Sequence, residues 1–268
     1  FVIGLLGGVA GGEGAAPADP LAAMFPDTGS KYLESQDLAG LFGSIEGARA
    51  GAKPRKAFTD NGFLNFFSAP RKGRIALGAS LESAPAAEQA LGFVAEHGAA
   101  FGVKSDSSGF TVLKVDTQPN RTFVRLSQTY ANLPVYGAQM VVQVGKSGGI
   151  EAVVSDIMSR TFKLDDGRIS LTATLSGEEA EDAALEAVAS DPKISSVDGG
   201  ISTDDLSIAK DAELMIFDPT VVGTKGDPRL VWRTEVIREE EVLAVPISGK
   251  TGPGEPTPVA MRTVDELV

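Results

Sequence analysis

His97 is the only histidine in the 268-residue chain, and there is no cysteine. A zinc centre draws most of its ligands from Cys and His, and the HExxH helix of a zinc peptidase needs two histidines one turn apart so that both face the metal. One histidine cannot build either. Cysteine nucleophiles, thiol redox pairs and cysteine-ligated iron–sulfur clusters are excluded for the same reason of composition. A Ser-His-Asp triad on His97 is formally open, but the residue lies near the end of an apolar, helix-patterned segment, where a structural role is the simpler reading. The carboxylate groups Asp165-Asp166, Asp204-Asp205 and Glu239-Glu240-Glu241 lack the D-x-D-x-D-G spacing of a calcium loop and read as solvated or turn residues. The expectation is a chain with no catalytic and no metal-binding residues.

Charge narrows the choice of partner. Thirty-six acidic residues against 24 Lys and Arg give a net charge of −12, which argues against nucleic acid, because a phosphate backbone is held by concentrated cations. The basic stretches at 49–56 and 71–74 hold few cations each and read as solvated surface. With 43% hydrophobic and 22% charged residues the chain is mostly folded, and its length suits two units. Residues 1–10 form an apolar run that opens on Phe1. It is too short to span a bilayer, which takes about 20 apolar residues, but it suits the core of an export signal. Residues 1–19 are therefore read as a signal-peptide remnant or N-terminal arm, and 20–57 as an N-terminal extension. No stable membrane span is expected.

The elements that must position any site follow from periodicity. Residues 63–77 carry Phe63, Leu64, Phe66 and Phe67, then a Pro-Arg-Lys-Gly turn, then Ile75 and Leu77, a hairpin pattern. Residues 83–101 read as a helix, with Leu91, Val94, Ala95 and Phe101 at helical spacing and Gly102 closing it. Strands are expected at 110–115, 122–130, 135–144 and 150–158, an antiparallel meander. Ser176 and Glu179 form a capping box for a helix through Ala180, Ala184 and Val188 that ends at Asp191-Pro192. Strands at 212–217, 230–237 and 241–247 follow, so the order helix, strand, strand, strand occurs twice. This predicts an α+β fold of two tandem units, each an antiparallel β-sheet packed against a helix. Pro134 fixes φ, Gly137 admits backbone that a Cβ would block, and Tyr130 and Tyr136 bring large rings with polar tips.

The stretch 122–144, TFVRLSQTYANLPVYGAQMVVQV, resembles the fungalysin/thermolysin propeptide motif through Arg125, Gln128, Thr129, Tyr130, Leu133, Pro134, Val135, Tyr136, Gly137 and Ala138. Val141, Val142 and Val144, with Gly148 or Gly149 in the turn, continue the likeness, and Phe101-Gly102-Val103 resembles the end of the family's helix. Residues 212–217 and 228–236 are similar to the PepSY-type unit of the same pro-regions. The chain departs from the pattern at Arg238-Glu239-Glu240-Glu241, where the family has a tight turn before its last strand.

The resemblance implies a cystatin-like/PepSY-like architecture, with a propeptide-motif domain at 58–160, a PepSY-like domain at 161–248 and a linker at 249–268 toward a catalytic domain. It implies the propeptide of a secreted thermolysin-like metalloendopeptidase, an intramolecular folding chaperone and temporary inhibitor. The partner would be the cognate catalytic domain in cis, which would also hold the zinc and calcium. Arg125, Gln128, Tyr130, Pro134, Tyr136 and Gly137 become candidate protease contacts, and Gly249, Lys250, Thr251, Gly252 and Pro253 a candidate cleft-covering linker. The other reading is a free-standing secreted or surface binding module with the same fold and no peptidase partner.

Overall fold

A computed structural model describes residues 2–7, 37–103, 106–159, 161–191 and 201–238. In chain order the elements are β1 (Val2–Gly7), α1 (residues 37–43), β2 (Ile45–Glu46), β3 (Arg55–Phe58), β4 (Leu64–Ser68), β5 (Arg74–Ile75), α2 (Ala79–Glu82), α3 (Ala86–His97), β6 (Ser108–Gln118), β7 (Arg121–Tyr130), β8 (Leu133–Gly145), β9 (Ile150–Asp156), α4 (Phe162–Asp165), α5 (Gly177–Ser190), β10 (Leu206–Phe217) and β11 (Arg229–Arg238). They gather into two compact units. One holds β1, α5, β10 and β11; the other holds the elements from α1 to α4 together with Asp218–Pro228.

In the larger unit, β6 to β9 form the expected antiparallel meander, and β9 also pairs with β4 and β5. The hairpin expected within 63–77 does not form. β4 pairs instead with β3 ahead of it, across a turn in which Thr59 N–H donates to Phe63 C=O (2.8 Å) and Gly62 adopts φ +84°. Asn-Gly is a strong hairpin signal, and here it sets the partner in place of the Pro-Arg-Lys-Gly turn.

α3 starts after Pro85 and runs into a short 3₁₀ turn that ends at Gly102, φ +95°. Its buried face is Gln89, Ala90, Phe93, Val94 and His97, while Leu91 is exposed. Two polar residues thus lie on the inward side, which the apolar spacing conceals. Gln89 is accommodated because its side chain bonds the Ala84 C=O (2.8 Å) and accepts from Gly149 N–H (3.0 Å), tying the helix to the β8–β9 turn. Phe93, Phe67, Leu126, Met140 and Val142 join in the core between helix and sheet.

In the smaller unit β11 pairs with both β1 and β10. α5 begins at the expected capping box: Glu179 N–H donates to Ser176 Oγ (3.2 Å) and Ser176 N–H to Glu179 Oε2 (2.8 Å). Those bonds hold the Glu179 carboxyl below its ordinary range. Ala184 and Val188 of the helix pack with Ile201, Leu206 and Val236. The strand expected at 241–247 lies outside the described residues.

The expectation of an α+β fold in two tandem sheet-plus-helix units is corrected by this architecture. The described residues are mostly extensive antiparallel β-sheet with few helices, and the units interleave along the chain. The physical reason lies in strand length and number. β6, β8 and β10 have 11, 13 and 12 residues, longer than their alternation suggested, and residues 45–75 supply four strands where one hairpin was expected. Two helices of 12 and 14 residues are small beside that much sheet.

The buried face of α3 is testable by urea denaturation. Phe93→Ala is expected to cost about 3–5 kcal/mol through a core cavity, whereas Leu91→Ala changes stability by under about 0.5 kcal/mol. Equal losses would mean that the helix presents the other face.

Candidate functional site

The site residues singled out by sequence cluster on the β7–β8 hairpin. Tyr130 pairs with Leu133, and the two residues between them, Ala131 and Asn132, have φ of +47° and +66°. Two central residues with positive φ make the primed turn whose twist matches that of the strands. Beyond it Thr129 faces Pro134, but the next pair is Ser127 with Gln139. Gln128 alone therefore stands opposite Val135, Tyr136, Gly137 and Ala138. This wide excursion keeps Val135 and Ala138 buried while Tyr136 is half-buried and Gly137 exposed. Gly137 has φ +71° and open space around an added Cβ, with the nearest atom at 3.7 Å, so backbone conformation is what calls for glycine there. Pro134, half-buried at the start of the excursion, has no N–H to lose where the ladder breaks.

Gln128 closes the gap on the other side. It is wholly buried, and its Nε2 donates to the Met158 C=O (3.0 Å) while Met158 N–H donates to its Oε1 (2.8 Å). The side-chain amide thus offers Met158 both a donor and an acceptor, as a neighbouring strand would. Tyr130 is also buried; its hydroxyl donates to Asp165 Oδ1 (2.7 Å), whose other oxygen accepts from Thr161 Oγ1 (2.6 Å). Arg125 is exposed and donates diagonally to Gln139 Oε1 (2.8 Å), the residue that ends the excursion. The six motif residues therefore divide by environment. Gln128 and Tyr130 face inward and bind the chain that follows β9, while Arg125, Pro134, Tyr136 and Gly137 lie at or near the surface. Gly249, Lys250, Thr251, Gly252 and Pro253 lie outside the described residues.

His97 is the last residue of α3. It is buried against Phe93, ring centroids 5.4 Å apart, beside a cavity of about 280 Å³ also lined by Asp37, Ser44 and Glu96. Burial pushes its pKa below the ordinary 6.5, and the Glu96 carboxylate, 3.7 Å from Nε2, opposes this only partly. Desolvation thus outweighs the attraction of a charged imidazole to the neighbouring carboxylate. Gly145-Lys146-Ser147-Gly148-Gly149 has the G-x-S-x-G spacing of a nucleophile elbow, but it joins two antiparallel strands rather than a strand to a helix. Among the described residues no three His, Cys, Asp or Glu are grouped so as to hold a metal ion, and no helix is long and apolar enough to cross a membrane.

Residues 108–157 match the Fungalysin/Thermolysin Propeptide Motif. No curated protein matches the chain. The motif runs from the first residue of β6 to just past β9, so it takes in the whole meander, with its primed turn and its wide excursion. The motif is named for the propeptides of fungalysin- and thermolysin-type proteases, and the match covers the meander rather than the rest of the chain. Two of the motif's partners were not visible in the linear pattern. Met158 and Asp165 lie beyond the strands they brace, and only the burial of a glutamine and a tyrosine points toward them.

Two outcomes follow. Gln128→Leu leaves the Met158 N–H and C=O buried without partners and is expected to cost about 3 kcal/mol in chemical denaturation; a loss under about 0.5 kcal/mol would show the clamp to be dispensable. His97 titrates near 6.5 in the unfolded chain and lower in the folded one, so below that pH the folded state binds fewer protons and stability is lost. The urea midpoint is expected to fall between about pH 7 and pH 5, and His97→Gln should flatten that slope; an unchanged slope would assign it to carboxylates instead.

Proposed function

We propose that the chain is the pro-region of a secreted thermolysin-like metalloendopeptidase and acts in cis as a folding chaperone and temporary inhibitor of the catalytic domain. The observation that carries this reading is the propeptide motif at 108–157, folded as a four-stranded antiparallel meander. A protease that lives long outside the cell does so behind a high unfolding barrier, and its folding barrier is then high as well. A partner that binds the folding transition state lowers that barrier, and a covalent tether makes the binding intramolecular, so modest contacts suffice.

In this reading the contacts come from the solvent-facing part of the motif, Arg125, Pro134, Tyr136 and Gly137, while Gln128 and Tyr130 keep it in shape. The PepSY-like assignment of 161–248 belongs to the same proposal, as does a linker through Gly249, Lys250, Thr251, Gly252 and Pro253 that crosses the substrate cleft. Zinc and calcium would be held by the catalytic domain.

The test is refolding of a denatured thermolysin-like catalytic domain with and without the full chain added in trans, followed by activity against a peptide substrate. The proposal expects the chain to raise the yield of folded enzyme and to inhibit it until the chain is digested. Tyr136→Ala should weaken inhibition by about tenfold, as loss of a central aromatic contact does. Equal yields with and without the chain, together with no inhibition, would overturn the proposal.

A further inference from the structure

Cations from the two basic stretches, 49–56 and 71–74, are brought together with Arg121 by the larger unit. Arg55 from β3, Arg71 and Lys72 from the turn before β5, and Arg121 from the start of β7 line one cleft of about 440 Å³. It opens on the outer face of the sheet. Arg55, Ser68, Ala152 and Gln143 are successive cross-strand partners there, while Phe67, Val153 and Val142, one residue along each strand, belong to the core.

None of these four cations makes an ion pair or hydrogen bond among the described residues. A fifth, Arg74, builds the wall. Its guanidinium pairs with Glu82 (3.2 Å) and donates to the carbonyls of Ser147 (3.2 Å) and Gly148 (3.1 Å). Gly149, at φ +78°, makes room for it, since a Cβ there would meet Arg74 Cδ at 2.8 Å. Lys72 adopts φ +69° in a turn closed by Gly73 N–H to Pro70 C=O (2.7 Å), a conformation that costs a side-chain-bearing residue about 1 kcal/mol and glycine almost nothing. Lysine thus occupies a position where glycine would fold better.

Four cations without an ion pair around one cleft that holds a single carboxylate, Glu151, repel each other and concentrate a positive field, in a chain of net charge −12. We propose that this cleft binds an acidic, extended peptide segment of a partner polypeptide. Carboxylates along the segment pair with Arg55, Arg71, Lys72 and Arg121. The chemistry of the floor selects a peptide over a phosphate polymer. Glu151, oriented by Gln143 (2.5 Å), presents a carboxylate to the cleft, which peptide N–H groups satisfy and which a donor-free polyphosphate meets only as repulsion. Half-buried Phe66 adds apolar surface for the peptide's carbon chain. The inference goes beyond the pro-region reading and does not rest on it.

The experiment is fluorescence anisotropy of the full chain with a fluorescein-labelled hexaglutamate peptide. Arg71→Glu with Arg121→Glu is expected to weaken binding at least about tenfold, while the same charge change at exposed Lys114 and Lys210 leaves it within about twofold. Lys72→Gly should bind more weakly and melt at a higher temperature, so loss of binding is separated from loss of fold. Three results would each overturn the proposal: no binding by the parent chain, equal losses in both charge-reversed pairs, or displacement of the peptide by polyphosphate as readily as by unlabelled hexaglutamate.

Discussion

The amide of Gln128, bonded both ways to the backbone of Met158, holds together a sheet that would otherwise part at that point. On one side of Gln128 the β7–β8 ladder loses its register, because four residues of β8 lie opposite one of β7. On the other side the chain has left β9 and needs a partner for a buried peptide group. An unsatisfied donor and acceptor at a fully buried site would cost more than a typical hydrogen bond contributes, so the glutamine sets where the chain can go after the meander. The bond from Tyr130 to Asp165 extends the same brace by one more turn of chain. With the far end anchored, the excursion through Tyr136 and Gly137 can project from the sheet without loosening it.

The lone histidine is buried, which lowers its pKa, and the motif's polar interior is spent on its own backbone. What remains outward is a surface of three kinds: an irregular, ring-bearing bulge on β8, the exposed Arg125 beside it, and a cationic cleft on the outer face of the β3, β4, β9 and β8 strands. Rigid presentation of such a surface by a braced sheet lowers the ordering cost of any binding to it.

Much of this was legible before the fold. The meander between 110 and 158, the capping box at Ser176 and the resemblance at 122–144 all rest on local patterns, and local patterns survive folding. What failed depended on distant chain. Alternation along 122–130 leaves open which way Gln128 points, because inward glutamine is allowed only if a partner arrives, and Met158 is 30 residues away. The strand after Asn61-Gly62 found its partner upstream, so the Pro-Arg-Lys-Gly turn was left free to carry Arg71 and Lys72 to a cleft with Arg121. Single basic stretches look like solvated surface until the sheet places two of them side by side with Arg121. The tandem arrangement failed for a related reason, since periodicity reports on elements and not on which unit a returning strand rejoins.

The central claim is that Met158 belongs to the sheet's core through a side chain, although it lies past the last residue of β9. Native-state amide hydrogen exchange reads this directly at the Met158 N–H. The account predicts exchange only through global unfolding, with the same opening free energy as the amides of Leu126 and Val142 in the central strands. Exchange of Met158 through local fraying, at a rate insensitive to the protein's overall stability, would contradict it.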